Sequence, residues 1–93
     1  MTTTRMVRPS MAEPWQMPLD RFLQSGWTAR RTAPGVWDIY RPDGFRWGFV
    51  SSGNRRIGSS RTALKVFHEH QVRMARSQRW AVPAQVLAEY PCY

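Results

Sequence analysis

"GVWDIYRPDGFRWGF", residues 35–49, sets five aromatic side chains and two arginines around a Pro-Asp-Gly turn. With Pro42 and Asp43 at the centre of a type I turn and Gly44 in the left-handed bulge position, Arg41 lies opposite Phe45. Continuing that register pairs Tyr40 with Arg46, Ile39 with Trp47, Asp38 with Gly48, Trp37 with Phe49 and Val36 with Val50. Alternation then gathers Trp37, Ile39, Phe45, Trp47 and Phe49 on one side of the hairpin, with Arg41 at its margin. Val36, Asp38, Tyr40, Arg46, Gly48 and Val50 fall on the other side. Five large apolar side chains on one face are expected to form core. Tyr40, beside Arg46, is left as a surface contact residue.

Working outward, "WTARRT" at 27–32 has strand character and is joined to 36–41 by "APG", so 27–32, 36–41 and 45–50 form an antiparallel meander. Before it, "MPLDRFLQSGW" predicts a short helix that starts at Pro18, shows Leu19, Phe22 and Leu23 on one face, and stops at Gly26. Residues 1–16, with Arg5, Arg8 and mixed polar residues, read as a flexible basic arm. After the meander, Gly53-Asn54 marks a turn and Ser59 or Ser60 an N-cap, followed by a helix to about Gln78. At 100° per residue Ala63, Leu64, Phe67, Met74 and Ala75 make one stripe, and Arg61, Lys65, Arg73, Arg76 and Arg79 the opposite one. His70 and Gln71 interrupt the apolar stripe, and Val66 and Val72 lie outside it. The tail 80–93 permits a last short helix from Pro83, with Trp80, Val86, Leu87 and Tyr90 packing back on the domain at 17–79. The expected class is α+β: a short N-terminal helix and a three-stranded antiparallel meander packed against one long C-terminal amphipathic helix.

The 93 residues hold 14 Lys plus Arg against 6 Asp plus Glu, a formal charge of +8. Such a chain is drawn to polyanions, whether nucleic acid or an acidic protein surface. All the cations but Lys65 are arginines, whose planar fork suits phosphate and base stacking, although a GC-rich genome gives the same bias. The lone Cys92 cannot form an internal disulfide, which fits a reducing, cytoplasmic compartment. No apolar run approaches the ~20 residues of a membrane span, and the N-terminus lacks the apolar core of a signal peptide.

Catalysis is poorly supplied. His68-Glu69-His70 lies on a helix, where residues two apart point about 200° from one another and cannot grip one ion. Asp20, Asp38, Asp43 and Glu69 lack the spacing of paired acid/base or magnesium sites, and the glycines punctuate turns rather than cradle phosphate. No enzyme activity, cofactor or metal is expected.

The strongest constellation is electrostatic: Arg55, Arg56, Arg61, Lys65, Arg73, Arg76 and Arg79 against Glu69 across 55–79, next to a helix start with free backbone N–H groups. "GSSRTALK", 58–65, resembles the start of the last helix in double-stranded RNA-binding domains, with Thr62 and Leu64 departing from that pattern. That resemblance implies phosphate contacts from Ser60, Arg61 and Lys65. Over 27–76 the strand and helix order also resembles the arm-binding domains of phage-type integrases and the AP2 fold, which implies a groove-facing sheet bearing Arg30, Tyr40 and Arg46, with Asp38 on the same face. The expected function is a small non-catalytic nucleic-acid-binding module that contacts the phosphate backbone of duplex DNA or RNA. Its rival is a phage or mobile-element regulator whose basic stripe and aromatic tail engage an acidic surface of a host protein.

Overall fold

The computed structural model describes residues 13–51 and 57–90. A 3₁₀ turn at Pro14–Gln16 precedes α1, Leu19–Leu23. β1 (Thr28–Ala33), β2 (Val36–Tyr40) and β3 (Arg46–Ser51) follow, then α2 (Ser60–Ser77) and α3 (Ala84–Leu87). The strands form one antiparallel sheet in the order β1-β2-β3. The architecture is therefore the expected α+β meander on a long helix. Pro14 is buried and its turn packs against α2, so the ordered fold begins ahead of residue 17.

Local chemistry explains most of the boundaries. Gly26 (φ 101°) ends the α1 segment, and Gly35 (74°) and Gly44 (94°) take the left-handed positions of the two hairpins. At the second hairpin the Gly44 N–H donates to Arg41 O at 2.9 Å and the Arg41 N–H to Phe45 O at 2.8 Å. The Asp43 carboxylate fixes this turn, accepting from the Phe45 N–H at 3.1 Å and from Arg41 Nη2 at 2.7 Å. Ser59 is the N-cap of α2, its Oγ accepting from the Thr62 N–H at 3.2 Å. At the other end Arg79 (φ 62°) stands where glycine is usual. Its N–H donates to Arg76 O and the Trp80 N–H to Ala75 O, both at 3.0 Å, closing a Schellman motif.

The β2–β3 register corrects the sequence expectation beyond its first pair. Tyr40 pairs with Arg46 as expected, but Ile39 then pairs with Gly48, Asp38 with Phe49, Trp37 with Val50 and Val36 with Ser51. Trp47 is the surplus residue of a β-bulge, and past it inside and outside are exchanged. Trp37, Ile39 and Val50 are buried, whereas Phe45 and Phe49 are 69% and 61% exposed. The space under the sheet is already filled by Phe22, Trp27, Leu64 and Phe67, and interiors packed to crystal density admit no three further rings. Trp47, 42% exposed, instead sets its ring edge-on to Trp27, with centroids 5.9 Å apart.

α2 also buries a wider sector than its apolar stripe. Ala63, Leu64, Phe67 and Ala75 are buried as expected, but so are Val72 and His68, while Met74 is 43% exposed. Segments from both ends of the described chain meet α2 at His68. The turn at Pro14–Gln16 packs against α2, Met17 O meets His68 Nε2, and the Tyr90 hydroxyl lies 2.7 Å from His68 Nδ1. Val86 of α3 is fully buried, and the Glu89 carboxylate accepts from the Leu19 N–H at 3.0 and 3.2 Å, holding the start of α1.

His68 Nε2 lies 2.7 Å from Met17 O, which can only accept, so the neutral ring donates from Nε2 and receives the Tyr90 O–H at Nδ1. Burial is the main cause that pushes its pKa below the usual histidine value, against an opposing pull from the Met17 carbonyl and the Glu89 charge. An unfolded histidine titrates near pH ~6.5, so below that pH the unfolded state binds more protons and stability falls as pH drops toward the folded His68 pKa. Thermal melts are expected to show Tm decreasing from about pH 7 to pH 5 in the wild type, and a flatter profile over that window in His68→Gln. At the helix end, Arg79→Gly is expected to stabilise by about 0.5–1 kcal/mol and Arg79→Val to destabilise by more than about 1 kcal/mol, because only glycine takes the left-handed region without strain. Denaturant titration measures both.

Candidate nucleic-acid interface

The solvent face of α2 carries the first surface. Ser60, Arg61, Lys65, Arg73 and Arg76 are all exposed. At 100° per residue Arg61, Lys65 and Arg76 fall within a sector of about 60° that the buried Val72 interrupts, and the 1.5 Å rise spreads them over about 22 Å. That length exceeds the ~12 Å width of a major groove. None of these three makes an ion pair among the described residues. Arg73 lies further round the helix and donates to Glu69 at 3.4 Å, an i,i+4 pair that offsets part of its charge. No acid sits in the first turn beside Arg61, so the helix dipole and that guanidinium add to the same positive region.

The second surface is the face of the sheet turned away from α2, where Arg30, Asp38, Tyr40, Arg46 and Phe49 come together through the pairs Arg30 with Asp38, Tyr40 with Arg46 and Asp38 with Phe49. The Arg30 guanidinium lies 5.7 Å from the Tyr40 ring centroid. Arg46 grips Asp38 in a two-point pair, Nε to Oδ2 at 3.1 Å and Nη2 to Oδ1 at 3.2 Å. That hydrogen bond, and then the Asp38 charge, raise the Arg46 pKa above its ordinary value. The acid expected on this face therefore neutralises one of its two cations. What remains is one arginine among exposed rings, a surface richer in apolar contact than in charge.

The expected binding residues are thus split between opposite sides of the molecule. Arg30, Tyr40 and Arg46 share the outer sheet face, while Ser60, Arg61, Lys65, Arg73 and Arg76 share the outer helix face, and α2 packs against all three strands between them. One straight duplex can meet one group or the other. Arg55 and Arg56 lie outside the described residues. Of the histidine pair, His68 is buried in its hydrogen bonds and His70 is exposed, so the two rings point apart. Among the described residues no three His, Cys, Asp or Glu side chains gather as metal ligands, and no helix is long and apolar enough to cross a membrane.

The exposed Phe45 and Phe49 escaped the alternation pattern, as did the half-exposed pair Trp15 and Trp80, whose centroids are 5.5 Å apart. The one sequence signal for Phe49 is Gly48, since a glycine inside a strand marks a bulge, whereas Phe45 precedes the bulge beside the hairpin turn. Comparison of the chain with protein-family models, with curated proteins and with solved structures found no match.

Proposed function

We propose that this protein is a small, non-catalytic nucleic-acid-binding module of the cytoplasm that neutralises backbone phosphates with the outer face of α2. The observation that carries this reading is the alignment of exposed Arg61, Lys65 and Arg76 in one helical sector, without ion pairs among the described residues, in a chain of net charge +8. Arg73 adds a cation shared with Glu69, and Arg55 and Arg56 extend the basic run just ahead of the helix in sequence. Contacts of this kind position a protein on its target without selecting a base sequence. Support for the helix over the sheet comes from the Asp38–Arg46 pair, which leaves the sheet face little net charge for phosphate. The double-stranded RNA-binding resemblance points to the same end of α2, through Ser60, Arg61 and Lys65.

A second reading, a regulator that binds a host protein, is favoured by a separate observation: Phe45 and Phe49 are exposed on the sheet. The aromatic tail supports it less, because Tyr90 is engaged with His68.

Salt titration of duplex binding tests the first reading. Three phosphate contacts give a slope of log affinity against log salt of about −2.7, a loss of about fortyfold between 50 and 200 mM. Arg61→Glu with Lys65→Glu is expected to remove about two units of that slope, with far-UV circular dichroism unchanged because both side chains are exposed. Duplex binding that is absent, or indifferent to salt, overturns the reading. Loss of biological activity on Phe49→Ser, in a chain that never binds nucleic acid, would install the second.

A further inference from the structure

Three of the chain's five tryptophans, Trp15, Trp47 and Trp80, wall a cleft of about 610 Å³ that Glu13, Gln71 and Ala81 complete. Each ring is placed by a backbone device. Trp15 rides on the 3₁₀ turn, Trp47 is the surplus residue of the β3 bulge, and Trp80 follows the left-handed Arg79. Trp15 and Trp80 touch with their planes 37° apart, and Trp47 is braced edge-on by the buried Trp27. Yet Trp47 and Trp80 remain 42% and 51% exposed, so these indoles face solvent in the cleft instead of completing a core.

The charge of the lining is opposite to that of the chain. Arginine is abundant in the sequence, but among the described residues none lines the cleft, and the one ionised group there is the Glu13 carboxylate. Indole faces carry negative electrostatic potential, and with a carboxylate they attract a cation. Among the described residues the only side chains there that accept hydrogen bonds are Glu13 and Gln71, too few to replace the water around the three N–H donors of a primary ammonium. An ammonium whose hydrogens are replaced by methyl groups makes no such demand, and its methyls pack on the rings. We propose that this cleft binds a methylated ammonium group, carried by a small quaternary amine or by a methylated lysine side chain. The volume leaves room for the stem beside the head group. Gln71 lies about 80° round α2 from Arg61, so occupancy leaves the phosphate stripe free, and the two readings stand or fall separately.

Tryptophan fluorescence of the full chain tests the proposal, with choline titrated at constant ionic strength against its neutral isostere 3,3-dimethylbutan-1-ol. Choline is expected to change the emission saturably and the alcohol not to. Trp80→Leu, which keeps bulk but removes a π face, is expected to weaken choline about tenfold, the scale of a desolvated cation–π contact, and Glu13→Gln a few-fold. Both positions lie outside the buried core, and a far-UV spectrum matching the wild type confirms the fold. A trimethyl-lysine peptide bound more tightly than choline and than its unmethylated form assigns the source to protein; equal affinity for choline and the peptide assigns it to a free amine. Saturation by the alcohol at the same concentration, no response to choline, or adenosine monophosphate displacing choline at lower concentration would each overturn the assignment.

Discussion

Between the pairs Tyr40 with Arg46 and Ile39 with Gly48 the β2–β3 ladder takes up one surplus residue, Trp47, and side chains beyond it change face. Val50 enters the core, Phe49 leaves it, and Trp47 turns toward Trp27 at the sheet edge. The thickness of the core, the apolar outer sheet face and the tryptophan-walled cleft all descend from that register. The pairing of Asp38 with Arg46 is independent of it, since Arg46 precedes the bulge and both side chains share the outer face in either register.

Beneath the sheet the aromatic cluster is continuous. Phe22 contacts Trp27, Phe67 and His68 at centroid distances of 5.6, 6.1 and 5.2 Å, tying α1, the start of β1 and α2 into one unit. His68 carries that unit to the end of the described chain through Met17 and Tyr90. A buried polar ring is tolerated because both nitrogens are satisfied in the neutral form. One side of α2 is thus spent on stability, and only its outer face is available for phosphate.

The order of elements was legible in the sequence because local signals carry it: Ser59 as N-cap, Pro42-Asp43-Gly44 as turn, Gly26 as stop. The bulge was not, because alternation is read relative to a register and nothing local but Gly48 hints that it slips. Val72 and Met74 were misplaced for another reason: α2 meets segments distant in sequence besides the sheet, Met17 and Tyr90 both reaching His68, and a helical stripe read alone assumes a single partner. Of the surface, the Arg61, Lys65 and Arg76 alignment follows from helical geometry alone, whereas the neutralisation of Arg46 needed the cross-strand pairing. The cleft brings together side chains from positions 13 to 81, and no local pattern links them.

The contact between His68 and Tyr90 bears on how the chain matures. A ribosome delivers residues in order, at about 5–20 per second, so α2 is complete before Tyr90 has emerged. Until then His68 Nδ1 lacks the tyrosine hydroxyl that it meets in the finished fold. The His68–Tyr90 hydrogen bond therefore closes only after the 22 residues from one partner to the other have been made, so this part of the interior is finished later than the helix that carries it.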